Sequence, residues 1–420
     1  MKEPGKRFLA VGLGAILVWP LAAFSADAPT SPSIVGWRGD GTGLYLGAHP
    51  PIQWDAGKGQ NIRWQTKVGK GQSSPVVAAG RMFCTVEPET LLCLEATGGK
   101  LLWSRDNSYA SLPAGTKTPE DRPPTSPNCG YATPTPVTDG NRVYAVFGSG
   151  IAASYDLKGN RQWVRYLDQP QASQYGRSAS PVLTAGRLLV SLSGLTALDP
   201  LTGETLWDAP AALCSFGTPA LARIGDVELA VTSQGDCVGL SDGRTLATKL
   251  AGMKYTSPLV VDDVVYFADV PAAAYKLTEQ ADHTIQPKKL WENDDVEGEF
   301  YSSPVCHEGI LYCVANEGLF FAIDAQTGET IYQKELDIRS ATGRFGAGPA
   351  NVYPSLTLVG KHLLLSNDVG ETLVLKLGRE YQEVSRNSLA RGCGASPAPT
   401  GPFLFLRGAG DVFCIGDNSP

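Results

Sequence analysis

The sequence predicts an all-β chain: an eight-bladed β-propeller of four-stranded antiparallel blades, its ring closed by an N-terminal strand that joins the C-terminal blade. Three observations predict it. Ser or Thr followed by Pro opens one segment after another, at Pro75, Pro136, Pro181, Pro219, Pro258, Pro304 and Pro397, with a degraded copy at Tyr353-Pro354-Ser355. Successive prolines lie 38 to 61 residues apart, and most spacings fall near the period of one propeller blade. A second landmark follows in fixed order: an apolar residue, Asp or Glu, a Gly turn, then an aromatic, as in Leu198-Asp199, Gly203 and Trp207. Finally, each segment divides into short apolar runs bounded by turn residues, the pattern of four strands. One such sheet has two faces to bury and cannot do so alone, so its copies must stack.

The chain in order bears this out segment by segment. Lys2, Lys6 and Arg7 precede an apolar stretch and small-residue cleavage sites, so residues 1–25 read as a secretory signal peptide. Removing it takes away three positive charges and one negative, moving the formal charge from −7 to −9. Residues 26–60 are a Pro/Gly-rich N-terminal extension containing Arg38-Gly39-Asp40, read as an exposed turn. The propeller is expected over 61–417. Residues 61–66 form a strand with Trp64 at the blade-ending position and no blade before it. The last copy has three strand candidates, so this strand completes it and hides two sheet edges.

Blades one to four are expected at 73–105, 135–166, 180–209 and 218–250, the fourth with Leu246 near the place of the Trp. Blades five to seven are expected at 257–291, 303–336 and 354–385, and blade eight begins at Ser396. Long loops at 107–130 and 337–351 join successive blades and should emerge on one face. With 420 residues, 47 Gly and 30 Pro, the composition suits one large domain built from tight turns. A mildly acidic chain without a basic cluster beyond its N-terminus excludes a nucleic-acid footprint.

The landmarks resemble the quinoprotein-like (pyrroloquinoline-quinone repeat) propeller family, whose repeats carry an Ala-x-Asp-x-x-x-Gly-x-x-x-Trp docking motif. Here that motif reads Ala197-Leu198-Asp199-Pro200-Leu201-Thr202-Gly203-Glu204-Thr205-Leu206-Trp207. The resemblance implies that Trp64, Trp103, Trp163, Trp207, Trp291 and Tyr332 are wedges between blades. It also implies a choice. One branch of the family is quinone-dependent dehydrogenases, with adjacent cysteines over the cofactor and a carboxylate–amide calcium site. The other is non-catalytic exported propellers, including an outer-membrane-assembly lipoprotein. No two Cys are adjacent here, and no cysteine in the first 80 residues offers a lipidation site. The expectation is therefore the second branch: an exported, periplasmic or secreted binding or scaffold module, not an enzyme, with no cofactor and no membrane span after signal cleavage. Its expected partner is a protein or peptide segment of the cell envelope. A quinone-dependent oxidoreductase and an outer-membrane assembly factor are the alternatives.

The chemistry-bearing residues are sparse. The four histidines are well separated and no His/Cys spacing fits a metal site. Nine cysteines leave at least one unpaired within the chain. Cys84 and Cys93 are expected opposite each other on adjacent strands, where a disulfide and plain core filling are both open. One constellation follows from the repeat itself. Residues just before each Ser/Thr-Pro lead into the innermost strand and ring one mouth of the central channel. Phe216, Tyr255 and Tyr301 stand three residues before the Pro, with Tyr131, Arg177 and Tyr353 near the same place and Arg339 and Arg344 on a neighbouring loop. The expected binding residues are Tyr131, Arg177, Phe216, Tyr255, Tyr301 and Arg344. The plainer alternative is that these rings plug the channel.

Overall fold

The computed structural model describes residue 1, residues 34–417 with the exception of 171, 172, 185, 215, 340 and 344–347, and no others. The expected signal peptide falls almost wholly outside the described residues. Among these, the chain forms eight β-sheets. Seven are consecutive four-strand meanders at 76–106, 137–166, 182–209, 220–247, 259–293, 305–335 and 357–388. The eighth joins Ile62–Lys67 to Ala398–Thr400, Phe403–Arg407 and Asp411–Ile415. Trp64 lies opposite Cys414 in an antiparallel ladder, so the two ends of the ring are zipped as the sequence implied.

No blade has a core of its own. Eight hydrophobic clusters each join two neighbouring blades. Phe83, Cys93 and Trp103 of blade one meet Val143 and Tyr155 of blade two; Met82 and Cys84 meet Phe405 and Cys414 of blade eight. Alternation along each strand sends successive side chains to opposite neighbours, which is how a sheet this small buries both faces. This alternation corrects the cysteine expectation. Cys93 pairs with Phe83 and Cys84 with Leu92, so the two thiols point into different inter-blade layers and neither is in a disulfide.

The tryptophans dock as the motif requires. Trp163 Nε1 donates to Pro200 O of the next blade at 3.0 Å, and a Cβ on Gly203 would meet the indole at 2.6 Å. Trp64, Trp103, Trp207 and Trp291 repeat both features against Gly99, Gly159, Gly243 and Gly328. Each of those glycines also has positive φ. The Gly of the motif therefore serves the preceding blade's indole, which covers it. Tyr332 packs on the cluster between blades six and seven.

The recurrent Ser/Thr has its own task. The Ser74 N–H donates to Thr135 Oγ1 at 2.9 Å, Thr135 N–H to Ser180 Oγ at 3.0 Å, and Ser180 N–H to Thr218 Oγ1 at 2.9 Å. The relay continues through Ser257, Ser303, Ser355 and Ser396 and returns to Ser74 Oγ at 2.9 Å. Eight hydrogen bonds thus form a closed belt around the axis. The belt also corrects the register of the degraded copy. Ser355 is the repeat residue and Leu356 stands where the other copies have Pro; Pro354 is a decoy one position too early.

The N-terminal extension is more ordered than its composition implied. Leu44–Tyr45 adds a parallel fifth strand to blade seven, and Trp54 is buried among residues of blades seven and eight. Arg38, expected in an exposed turn, is 3% exposed. Its Nη2 donates to Pro304 O at 2.6 Å and to Leu356 O at 3.1 Å, and the guanidinium lies where a side chain on Gly43 would be.

Candidate binding site at the channel mouth

With the register set by the belt, the residue two places before each belt hydroxyl marks the channel mouth. These eight positions are Gln72, Thr133, Ser178, Phe216, Tyr255, Tyr301, Tyr353 and Gly394, and all eight line one cavity of about 320 Å³. The mouth is therefore two-sided. Blades four to seven contribute four consecutive aromatic rings, and the other blades contribute small polar residues or Gly. Adjacent centroids are 5.3 Å apart for Phe216–Tyr255, 4.7 Å for Tyr255–Tyr301 and 4.9 Å for Tyr301–Tyr353. The contacts are tilted or edge-on, which aromatic quadrupoles favour over face-to-face stacking. All four rings are half-buried, braced against each other yet open to the cavity.

Polar contacts fix the arc. Tyr301 Oη donates to Glu299 Oε2 at 2.6 Å, and this bond leads the causes that hold the Glu299 carboxyl below its usual range. Lys254 Nζ sits 3.2 Å from Glu299 Oε1 and 4.8 Å from the Tyr255 ring centroid. The two rim charges thus neutralise each other. Asn128 Nδ2 donates to Tyr353 Oη at 3.2 Å, and Ser126, Asn128 and Cys129 of loop 107–130 complete the cavity together with Tyr175. Ser126 Oγ and Thr133 Oγ1 are buried without a hydrogen-bond partner.

Of the expected binding residues, Phe216, Tyr255 and Tyr301 come together. Tyr353, which the sequence placed nearby, belongs with them as an equal member. Tyr131 and Arg177 do not join the cavity. Tyr131 turns into loop 107–130, where its Oη donates to Pro123 O at 2.9 Å and the Arg122 guanidinium covers its ring. Its N–H and that of Ala132 are held by the Glu87 carboxylate at 3.0 and 2.9 Å. Arg177 is 4% exposed and braces two segments, donating to Gly148 O at 3.3 Å and to Gln169 O; burial lowers its pKa. Arg344 lies outside the described residues, and Arg339 is folded onto its own loop, with Nε 3.0 Å from Ala350 O.

What remains is an apolar, hydrogen-bonding, uncharged surface. The described lining carries neither a carboxylate nor a cation. Among the described residues no three His, Cys, Asp or Glu side chains are grouped to hold a metal. The carboxylate–amide calcium site and the cysteine pair that a quinone dehydrogenase would need are not matched by these residues.

Comparison with known proteins agrees with the architecture. The family model described as outer membrane protein assembly factor BamB matches residues 52–286. Among solved structures, BamB from Moraxella catarrhalis superposes with a TM-score of 0.58 at 16% identity, over 85% of this chain and 99% of that one. A europium-containing methanol dehydrogenase superposes at 0.57 with 11% identity, over 90% of each chain. The computationally designed Ika8 protein superposes at 0.54 with 14% identity, over 84% and 99%. At these identities the superpositions show the fold alone. No curated protein matches the sequence.

Proposed function

Because the chain belongs to the family of the outer membrane protein assembly factor BamB, we propose that it is an exported, non-catalytic propeller that binds a protein segment in the cell envelope through its channel mouth. The observation that carries this reading is the arc of Phe216, Tyr255, Tyr301 and Tyr353. Four half-buried rings on a rigid ring of sheets offer preorganised apolar area, and the polar half opposite offers hydrogen bonds. Aromatic anchors of this kind dominate the energetics of protein recognition. An uncharged mouth favours an uncharged, apolar or aromatic segment. Residues 1–25 act as the leader for export. Among the described residues no helix is long and apolar enough to cross a membrane. A role in outer-membrane protein assembly is the specific form of this proposal, and it rests on the family.

The test is capture from envelope extract by immobilised protein. The Tyr255→Ala/Tyr301→Ala variant should lose most of the captured partner while keeping the wild-type unfolding midpoint within a few degrees. Undiminished capture by this variant would refute the mouth as the binding face. A parallel sample given pyrroloquinoline quinone and calcium should show no bound-cofactor absorbance and no dye reduction; either signal would overturn the non-catalytic reading.

A further inference from the structure

Beneath the aromatic mouth, the belt hydroxyls line an axial cavity of about 120 Å³, bounded on its far side by Trp37 of the N-terminal extension. Each of the eight hydroxyl oxygens accepts one backbone N–H from the neighbouring blade. None of the eight donates its own proton to a described protein atom. The cavity wall is therefore a ring of eight O–H donors, each polarised by the N–H it already accepts.

A second, independent feature puts positive charge beside the belt, just outside the cavity lining. Arg38 bonds the carbonyls of Pro304 and Leu356, the residues immediately after belt members Ser303 and Ser355. Its guanidinium carbon lies 5.3 Å from the Trp37 ring centroid. The side chain is buried, and its Nε has no hydrogen-bond partner. Among the described residues no carboxylate is within ion-pair distance of it. Asp40 acts on it only through space, its carboxylate being held by the Thr42 N–H and hydroxyl at 3.0 and 2.6 Å. A guanidinium buried without a direct ion pair is costly. Water on the axis would satisfy the hydroxyls alone; an anion satisfies them and also offsets this buried charge.

We propose that the propeller axis is a binding site for one small monovalent anion, a halide or a lone carboxylate group. It is held by the belt hydroxyls and compensated by Arg38. The cavity is large enough for a small anion together with a few waters. Hydrogen bonds from neutral donors to an anion are shorter and stronger than those to water. The site lies one layer below the mouth and opens into it, since Gln72, Thr133, Ser178, Gly394 and the four aromatic rings line both cavities; its ligands, the belt hydroxyls, are not part of the mouth lining.

The test uses the full mature chain and two readouts. In crystals grown in sodium bromide, data at the bromine edge should show an anomalous peak on the axis, within hydrogen-bond distance of the belt hydroxyls. In solution, the thermal unfolding midpoint should rise with sodium bromide or formate but not with sodium gluconate at equal ionic strength. That anion-specific rise should vanish in Arg38→Gln. Formate that displaces the bromide peak extends the site to carboxylates, and bromide held against formate restricts it to halides; both uphold the site. A column of waters without a bromine peak, or bromine at surface positions only (an adventitious ion only), overturns it.

Discussion

At the scale of single residues, a hydroxyl at each belt position fixes how one blade meets the next. Ser257 illustrates it: its Oγ accepts the Thr218 N–H at 2.8 Å, and both residues are buried. Ser257→Ala leaves that N–H without a partner and should cost about 1–3 kcal/mol, read as a lowered urea midpoint at unchanged m-value. Ser257→Thr keeps the oxygen, as Thr135 and Thr218 do naturally, and should stay within about 0.5 kcal/mol of wild type. Glu87 makes a prediction in pH. Burial is the leading cause that raises its pKa above the ordinary 4.5. Its folded state thus favours the protonated form, and the stability it contributes is complete below the unfolded pKa. That contribution is lost as pH rises through the folded value. Glu87→Gln should flatten the stability–pH curve upward from about pH 4.5, measured as the difference in urea midpoint between variant and wild type across pH 4 to 7. A constant difference would contradict it.

At the scale of elements, the outer strand of one blade and the Gly turn of the next form a single docking unit. Gly203 and Gly186 separate its two constraints. Both have left-handed backbone, at φ +74° and +79°. Only Gly203 faces an indole; at Gly186 a Cβ would meet nothing within 4 Å. Gly186→Ala should therefore cost about 1–2 kcal/mol of backbone strain. Gly203→Ala adds overpacking of about 1–3 kcal/mol against Trp163, so its unfolding midpoint should fall clearly further. Equal shifts would mean that the indole contact contributes nothing. These elements were legible in the sequence because Trp, Gly and Ser/Thr sit at fixed spacing and each has a local reason to be there. Phe216, Tyr255 and Tyr301 were legible for the same reason. Tyr131 and Arg177 were not, since nearness to the mouth in sequence does not say which way a loop folds. Tyr353 was half-hidden by Pro354, which imitates the repeat one residue early. The burial of Arg38 left no sequence signal: the carbonyls that hold it are 266 and 318 residues away.

At the scale of the whole molecule, stability is a property of the ring. Each hydrophobic layer is shared between two blades, including the layer between blades eight and one, so opening any seam exposes two sheet faces. The seam that depends on the N-terminal part of the chain is the pairing of Ile62–Lys67 with Asp411–Ile415. Deleting residues 62–67 should bare the outer edge of blade eight and convert monomer into larger species on light scattering, as unprotected edges recruit other strands. The same closure holds the mouth rigid. It keeps Phe216, Tyr255, Tyr301 and Tyr353 on four different blades within contact of each other, which no single blade could do. If the mouth is the binding face, a partner is read by this arc and not by the outer rim. Photo-crosslinking tests it most directly, with p-benzoylphenylalanine placed either at Tyr353 in the mouth or at Leu201 on the outer turn of blade three, which is 63% exposed. Irradiation in envelope extract should give a discrete adduct from position 353, lost in the Tyr255→Ala/Tyr301→Ala background, and none from position 201. An adduct at 201 with none at 353 would place the partner on the outer rim instead of the mouth.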